Sequence, residues 1–191
     1  PVIFIEHRWL HNLKDKVPEG YYKVPLGESK VIRNGNDITI ASTSYMTVEA
    51  IKASEILKDF NIYPEIVDIR SLSPLDEKTI FDSVKKTKNF LACDFGWRSL
   101  GFAAELITRV TESNFHLLKS APQRITSPDI PTPTSQALAN HYYPLALDIS
   151  KKVLEMLNRP KEDIEKLNVL ANQKQSNSSL DQPDPSFEGP F

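Results

Sequence analysis

The sequence predicts a three-layer α/β domain with a mostly parallel sheet, on three observations. Short runs rich in β-branched residues, "ITIAST", "EIVDI" and "FLAC", alternate with amphipathic stretches of helical length. The run "ITIAST" has the continuous apolar character of a strand covered by helices on both sides. Strands that alternate with helices imply right-handed crossovers and therefore parallel neighbours.

In chain order, "VIFI" at residues 2–5 reads as a short buried strand. A polar passage with Pro and Gly follows through Glu28 and reads as a linker. After the turn "RNGND" comes the strand "ITIAST". Met46, Ala50, Ala53, Leu57 and Phe60 then recur at alternating steps of four and three, one face of a helix. "YPEIVDI" supplies the next strand. Ser73-Pro74 is a helix start, with Pro tolerated in the first turn and the acids after it favoured by the dipole. Ile80, Phe81 and Val84 form that helix's apolar face. "FLAC" is a third strand, and Ala103, Leu106, Ile107 and Val110 mark a third helix. "QRIT" adds a short strand after Pro122, and the loop "SPDIPTPTSQ" holds too many prolines for a central strand or a helix interior. A last helix follows Pro144, with Ala146, Ile149, Val153 and Met156 on one face. The domain is thus expected at residues 24–158, with residues 1–23 closing a preceding unit and linking to it. Residues 159–191 are expected to be a polar, largely disordered tail.

With 40% hydrophobic and 25% charged residues, 191 residues can build a core without staples. A net charge of −2 argues against general nucleic-acid binding. Cys93 is the single cysteine and reads as a small buried hydrophobe, which fits a reducing compartment such as the cytoplasm. No apolar run approaches the roughly 20 residues of a membrane span. The opening "PVIFIE", with neither a methionine nor a leader pattern, reads as a chain cut from something longer.

Open α/β sheets bind ligands at the carboxyl ends of their strands, here Thr43-Ser44, Asp68-Ile69-Arg70 and Asp94-Phe95-Gly96-Trp97. Gly96 and Gly101 make neither a dinucleotide fingerprint nor a phosphate loop. Asp68, Asp76, Asp94 and Asp129 read as caps and turn residues. His7 and His11 stand four apart but lack the third ligand a zinc site demands. Ser42, Ser44, Ser71 and Ser73 include no nucleophile elbow. Trp9, Tyr21, Tyr22, Trp97, Tyr142 and Tyr143 suit an interface or a core equally. Read from its residues alone, the chain shows a fold and no active site.

Read in order, "PVIFIEH", "VPLGESKVIRNGNDITIAS", "EIVDIRSLSPLDEKTIFDSVKKT" and "APQRITSPDIPTP" resemble the C-terminal half of the β subunit of 2-oxo acid dehydrogenases. These are the thiamine diphosphate-dependent decarboxylating components of the pyruvate, branched-chain and acetoin dehydrogenase complexes. The resemblance implies a C-terminal transketolase-type domain, in which one antiparallel strand joins the parallel ones. "PVIFIEH" would be the last strand of the preceding pyrimidine-binding domain. The implied cofactors, thiamine diphosphate and magnesium, belong to the parent enzyme and none is expected on this chain alone. The family's GDG magnesium motif does not occur here, and its catalytic Glu and His lie upstream. The implied partners are the missing pyrimidine- and pyrophosphate-binding domains or an α subunit, a second β subunit, and the binding domain of a lipoyl acyltransferase. Where the family's docking surface carries an acid before its Ala-Pro pair, this chain has Ser120 before Ala121-Pro122. Gly101 and Glu105 match the family's Gly-Gly-x-x-x-Glu helix start, except that Ser99-Leu100-Gly101 replaces part of the glycine run, and Asp94 stands where the family often has Glu. Arg70, Asp94, Trp97, Gly101, Glu105, Ser120 and Asp129 are accordingly expected to be interface or architectural residues. Arg70 in particular is expected to bond across the strand-to-helix corner or a domain interface. The alternatives are a fragment of a transketolase-like or deoxyxylulose-phosphate synthase-like enzyme, and an interaction module derived from this domain.

Overall fold

The structure, a computed structural model, describes residues 1–174 apart from 12, 15 and 140. Its five strands are β1 (Lys30–Arg33), β2 (Thr39–Thr43), β3 (Glu65–Ile69), β4 (Phe90–Trp97) and β5 (Gln123–Ser127), in the order β1-β3-β2-β4-β5. β1 runs antiparallel to β3, and the other pairings are parallel. The helices are α1 (Tyr45–Leu57), α2 (Glu77–Thr87), α3 (Phe102–Asn114), α4 (Gln136–Ala139), α5 (Ala146–Met156) and α6 (Lys161–Lys174).

β2 is central and buried along its whole length. Its side chains alternate between the two faces, so it feeds two separate cores. Ile40 joins Ile66, Leu91 and Cys93 under α1 and α5, where Met46, Ala50, Ile149 and Leu154 cover them. Ala41 joins Val67 and Ala92 on the other face, against Ile80, Val84, Leu106 and Val110 of α2 and α3. Cys93 is buried, and that burial pushes its thiol well above the usual range. The helical face read from Met46, Ala50, Ala53, Leu57 and Phe60 is buried as expected.

Three expectations need correction, and one strand went unread. Residues 2–5 form no strand; Val2, Ile3, Phe4 and Ile5 stand 72% to 87% exposed, with no strand beside them to pair with among the described residues. β1 forms from "KVIR", whose charged ends disguise an edge strand. α2 starts at Glu77 rather than at Ser73-Pro74, because the Asp76 carboxylate accepts the Thr79 amide at 3.1 Å and sets the cap there. Residues 161–174 form α6 instead of a disordered tail: Ile164 and Leu170 pack on the core, Leu167 is buried, and Lys166 donates to the Asp59 carbonyl at 3.0 Å. The rest of the expected tail, residues 175–191, lies outside the described residues.

Ser44, between β2 and α1, sits at φ 52° and ψ −131° and makes no capping hydrogen bond with its side chain. Only glycine enters that region without strain. Ser44→Gly is expected to stabilise the fold by about 1 kcal/mol, a rise in Tm of roughly 2–4 °C in a thermal melt. An unchanged or lower Tm would contradict the strain.

Candidate functional site

The carboxyl ends of β2, β3 and β4 gather hydroxyls and carboxylates into two hydrogen-bonded groups. Thr47 Oγ1, from the first turn of α1, donates to Asp68 Oδ1 at 3.1 Å and lies 3.0 Å from Ser42 Oγ. Thr43 Oγ1 donates to Asp94 Oδ1 at 2.9 Å. Arg70 Nε donates to Asp68 Oδ2 at 3.1 Å, a bond within one strand segment, since residues two apart share a face. The expected contact of Arg70 across the corner is therefore not what forms. Neighbours close the corner instead: Ser71 Oγ accepts the Gly27 amide at 2.8 Å, and Asp76 Oδ2 accepts the Ser29 amide at 2.8 Å.

Trp97 ends β4 and is exposed. Gly101 caps α3 where a Cβ would lie 2.0 Å from the Trp97 carbonyl oxygen, so the close turn admits only glycine. Between them, Ser99 gives its amide to Asp129 Oδ1 at 2.8 Å and its hydroxyl to Asp129 Oδ2 at 2.6 Å, clasping the β4–α3 loop to the proline-rich loop. Those two bonds, the Ser99 hydroxyl first, hold the Asp129 carboxyl below its usual range. The clasp is therefore fully present above the usual carboxylate range and is lost as pH falls through the lowered value. Asp129→Ala is expected to speed hydrogen exchange at the Ser99 amide at neutral pH, and the unaltered chain should show the same loss only in acid. Exchange that ignores both changes would disprove the clasp.

Glu105 accepts from Arg109 Nε at 2.7 Å, and Arg109 also reaches Glu77, so the three tie α3 to α2. Ser120 lies at the opposite, amino end of the strands, where its hydroxyl donates to Asn89 Oδ1 at 3.0 Å. Asn89 in turn donates to the Asp37 carbonyl at 2.8 Å. Trp97, Gly101 and Asp129 are thus brought together, Asp94 pairs with Thr43, Arg70 joins the Asp68 group, and Glu105 and Ser120 stand apart.

Sequence reasoning missed the way residues 7–9 dock. His7 stacks on Tyr45 with ring centroids 5.3 Å apart, Trp9 meets Tyr45 edge-on at 5.3 Å, and Phe95 continues the stack at 6.1 Å from Tyr45. Burial lowers the His7 pKa, which favours the neutral ring. His7 Nδ1 accepts the Trp9 amide at 3.3 Å, and His11 pairs with Glu6 at 3.0 Å, so the two histidines serve separate local contacts.

Residues 27–149 match the family model of the transketolase C-terminal domain. The chain belongs to that family. Among curated relatives, this transketolase C-terminal domain is 37% identical over 160 residues to the acetoin:2,6-dichlorophenolindophenol oxidoreductase subunit beta of Bacillus subtilis, covering 84% of this chain and 47% of that one. It is 39% identical over 144 residues to the pyruvate dehydrogenase E1 component subunit beta of Acholeplasma laidlawii, covering 75% of this chain and 43% of that one. The domain thus spans about half the length of the curated relatives it matches. A solved split-gene transketolase, described as an inactive beta4 tetramer, shares the fold with a TM-score of 0.63 at 24% identity, covering 74% of this chain and 47% of that one. The family match ends at residue 149, so α6 extends the transketolase C-terminal domain beyond it. No helix among the described residues is long and apolar enough to cross a membrane.

Proposed function

We propose that this chain is the C-terminal association domain of a β subunit in a thiamine diphosphate-dependent 2-oxo acid dehydrogenase, and that it is inactive by itself. The observation that carries the reading is the match to dehydrogenase β subunits over most of this chain. The parent reaction would be oxidative decarboxylation of a 2-oxo acid with acyl transfer to a lipoyl group. The carboxylates of this domain do not fit the magnesium that accompanies thiamine diphosphate. Asp68 and Asp94, the carboxylates at the ends of the central strands, are engaged by Thr47, Arg70 and Thr43. Among the described residues no three His, Cys, Asp or Glu side chains come together to hold a metal ion. In this reading the parent enzyme holds its cofactor elsewhere, and the exposed apolar residues 2–5 complete the sheet of the preceding domain. The exposed Trp97 at the end of β4, with Leu100 and Ile130 on the loops held by the Ser99–Asp129 clasp, suits contact with an α subunit or a second β subunit. Docking of an acyltransferase binding domain is expected to be weak, because Ser120 offers a hydroxyl already donated to Asn89 where the family offers a charge. The single buried thiol fits a cytoplasmic setting.

A chimera tests the reading. Replacing the C-terminal half of the related Bacillus subtilis β subunit with this chain is expected to give an assembled enzyme that still reduces the dye. The chain alone, with thiamine diphosphate, magnesium and a 2-oxo acid, is expected to give no turnover. Failure of the folded chimera to assemble, or turnover by the chain alone, would overturn it.

A further inference from the structure

The geometry points to a binding site for a small organic anion, a carboxylate or a phosphate ester with an apolar body, in a cleft along the outer edge of β5. The cleft has a volume of about 480 Å³, a size ordinary for small-molecule sites. Arg124 and Thr126 line it from one face of β5, and Ile125 and Ser127 from the other. A space touched from both faces lies at the strand's edge, and β5 is the last strand of the sheet. Arg98, just past the end of β4, and His141 and Tyr143, from the segment before α5, complete the walls.

The arginines decide the chemistry. Arg33, Arg70, Arg109 and Arg159 each reach a carboxylate within ion-pair distance. Arg98 and Arg124 both line this cleft, and neither forms an ion pair among the described residues. The carboxylates nearby are otherwise engaged. Asp148, the one acid in the lining, accepts the Leu145 amide on Oδ2 at 2.9 Å and forms no ion pair with either arginine. Asp129, which feels the charge of Arg98, has its oxygens taken by Ser99. Two arginines that pair with no carboxylate among the described residues, lining one concave site, suit the planar oxygens of a carboxylate or phosphate. Ile125 and Tyr143 supply the apolar wall that such a ligand's body would cover.

This inference does not depend on the parent-enzyme reading and survives its failure. Its test is a titration of the full chain with benzoate, with phenyl phosphate and with uncharged benzyl alcohol, followed by calorimetry and by amide shifts in β5. Saturable binding of at least one anion is expected, with shifts at Arg124–Ser127 and none from benzyl alcohol. Whichever of the two anions binds more tightly names the class. Arg98→Gln with Arg124→Gln is expected to weaken binding about tenfold or more, with Arg124→Lys between the two. Arg33→Gln, a surface control, should leave binding unchanged. No saturable binding of either anion by the folded chain would overturn the site, as would equal affinity in the double variant or an equal loss in Arg33→Gln.

Discussion

Gly35→Ala is expected to destabilise the chain by about 3 kcal/mol, at the upper end for overpacking. Gly35 is buried in the turn between β1 and β2. A Cβ there would lie 2.1 Å from the Tyr63 carbonyl oxygen, 2.3 Å from the Pro64 carbonyl carbon and 2.5 Å from its oxygen. These are backbone atoms, so no rotamer change clears them. Nor can the Tyr63 segment retreat freely: its carbonyl accepts the Asn36 amide at 3.0 Å and its own amide donates to Asp37 Oδ2 at 2.7 Å. The lead-in to β3 and the lead-in to β2 are therefore stitched together at the point where the methyl would push them apart. Urea denaturation of Gly35→Ala beside Gly20→Ala separates space from backbone strain. Gly20 has φ +82° but nothing within 4 Å of its Cβ, so its cost should be that of strain alone, about 1 kcal/mol. Equal midpoints for the two variants would show that crowding at Gly35 counts for nothing.

How much of this was legible before folding depends on how local each signal is. α1 was readable because Met46, Ala50, Ala53, Leu57 and Phe60 repeat at helical spacing within one short window. β1 was not, since Lys30 and Arg33 frame only two apolar residues and its partner β3 lies some thirty positions on. α6 was hidden because Ile164, Leu167 and Leu170 are diluted by charged and amide residues, and their value comes from a core supplied by other elements. Arg70 was expected to bond across the strand-to-helix corner or a domain interface, yet within this domain it bonds Asp68 two positions earlier. The cleft along β5 had no local signature at all. Arg98, Arg124 and His141 sit in three separate segments: the pairing of β4 with β5 brings the first two to the cleft, and the segment before α5 brings the third.

Glu49 is the sharpest case of such a non-local role, and Glu49→Ala is expected to cost about 3 kcal/mol. In sequence it looks like a solvated acid on α1, where it stands three residues before Lys52. In the fold it is only 3% exposed, and Oε2 accepts the amide of Ala146, the first residue of α5, at 2.9 Å. Oε1 takes Lys52 Nζ at 3.0 Å. A carboxylate at a helix N-terminus satisfies an amide that the helix itself cannot, and it complements the helix dipole. Removing it leaves that amide buried without a partner and opens the seam where α1 packs on α5. The consequence reaches beyond α5, because Ile149, Val153 and Leu154 bring that helix onto the same core as β2. Glu49→Gln keeps an acceptor for Ala146 and loses the charge, so it should cost about half as much. Hydrogen exchange at Ala146 with a urea midpoint for each variant gives the test. The expected order is Glu49, then Gln, then Ala, with exchange at Ala146 fastest in the alanine variant. If Glu49→Ala left both the midpoint and that exchange rate unchanged, the bond between α1 and α5 would have no part in holding the domain together.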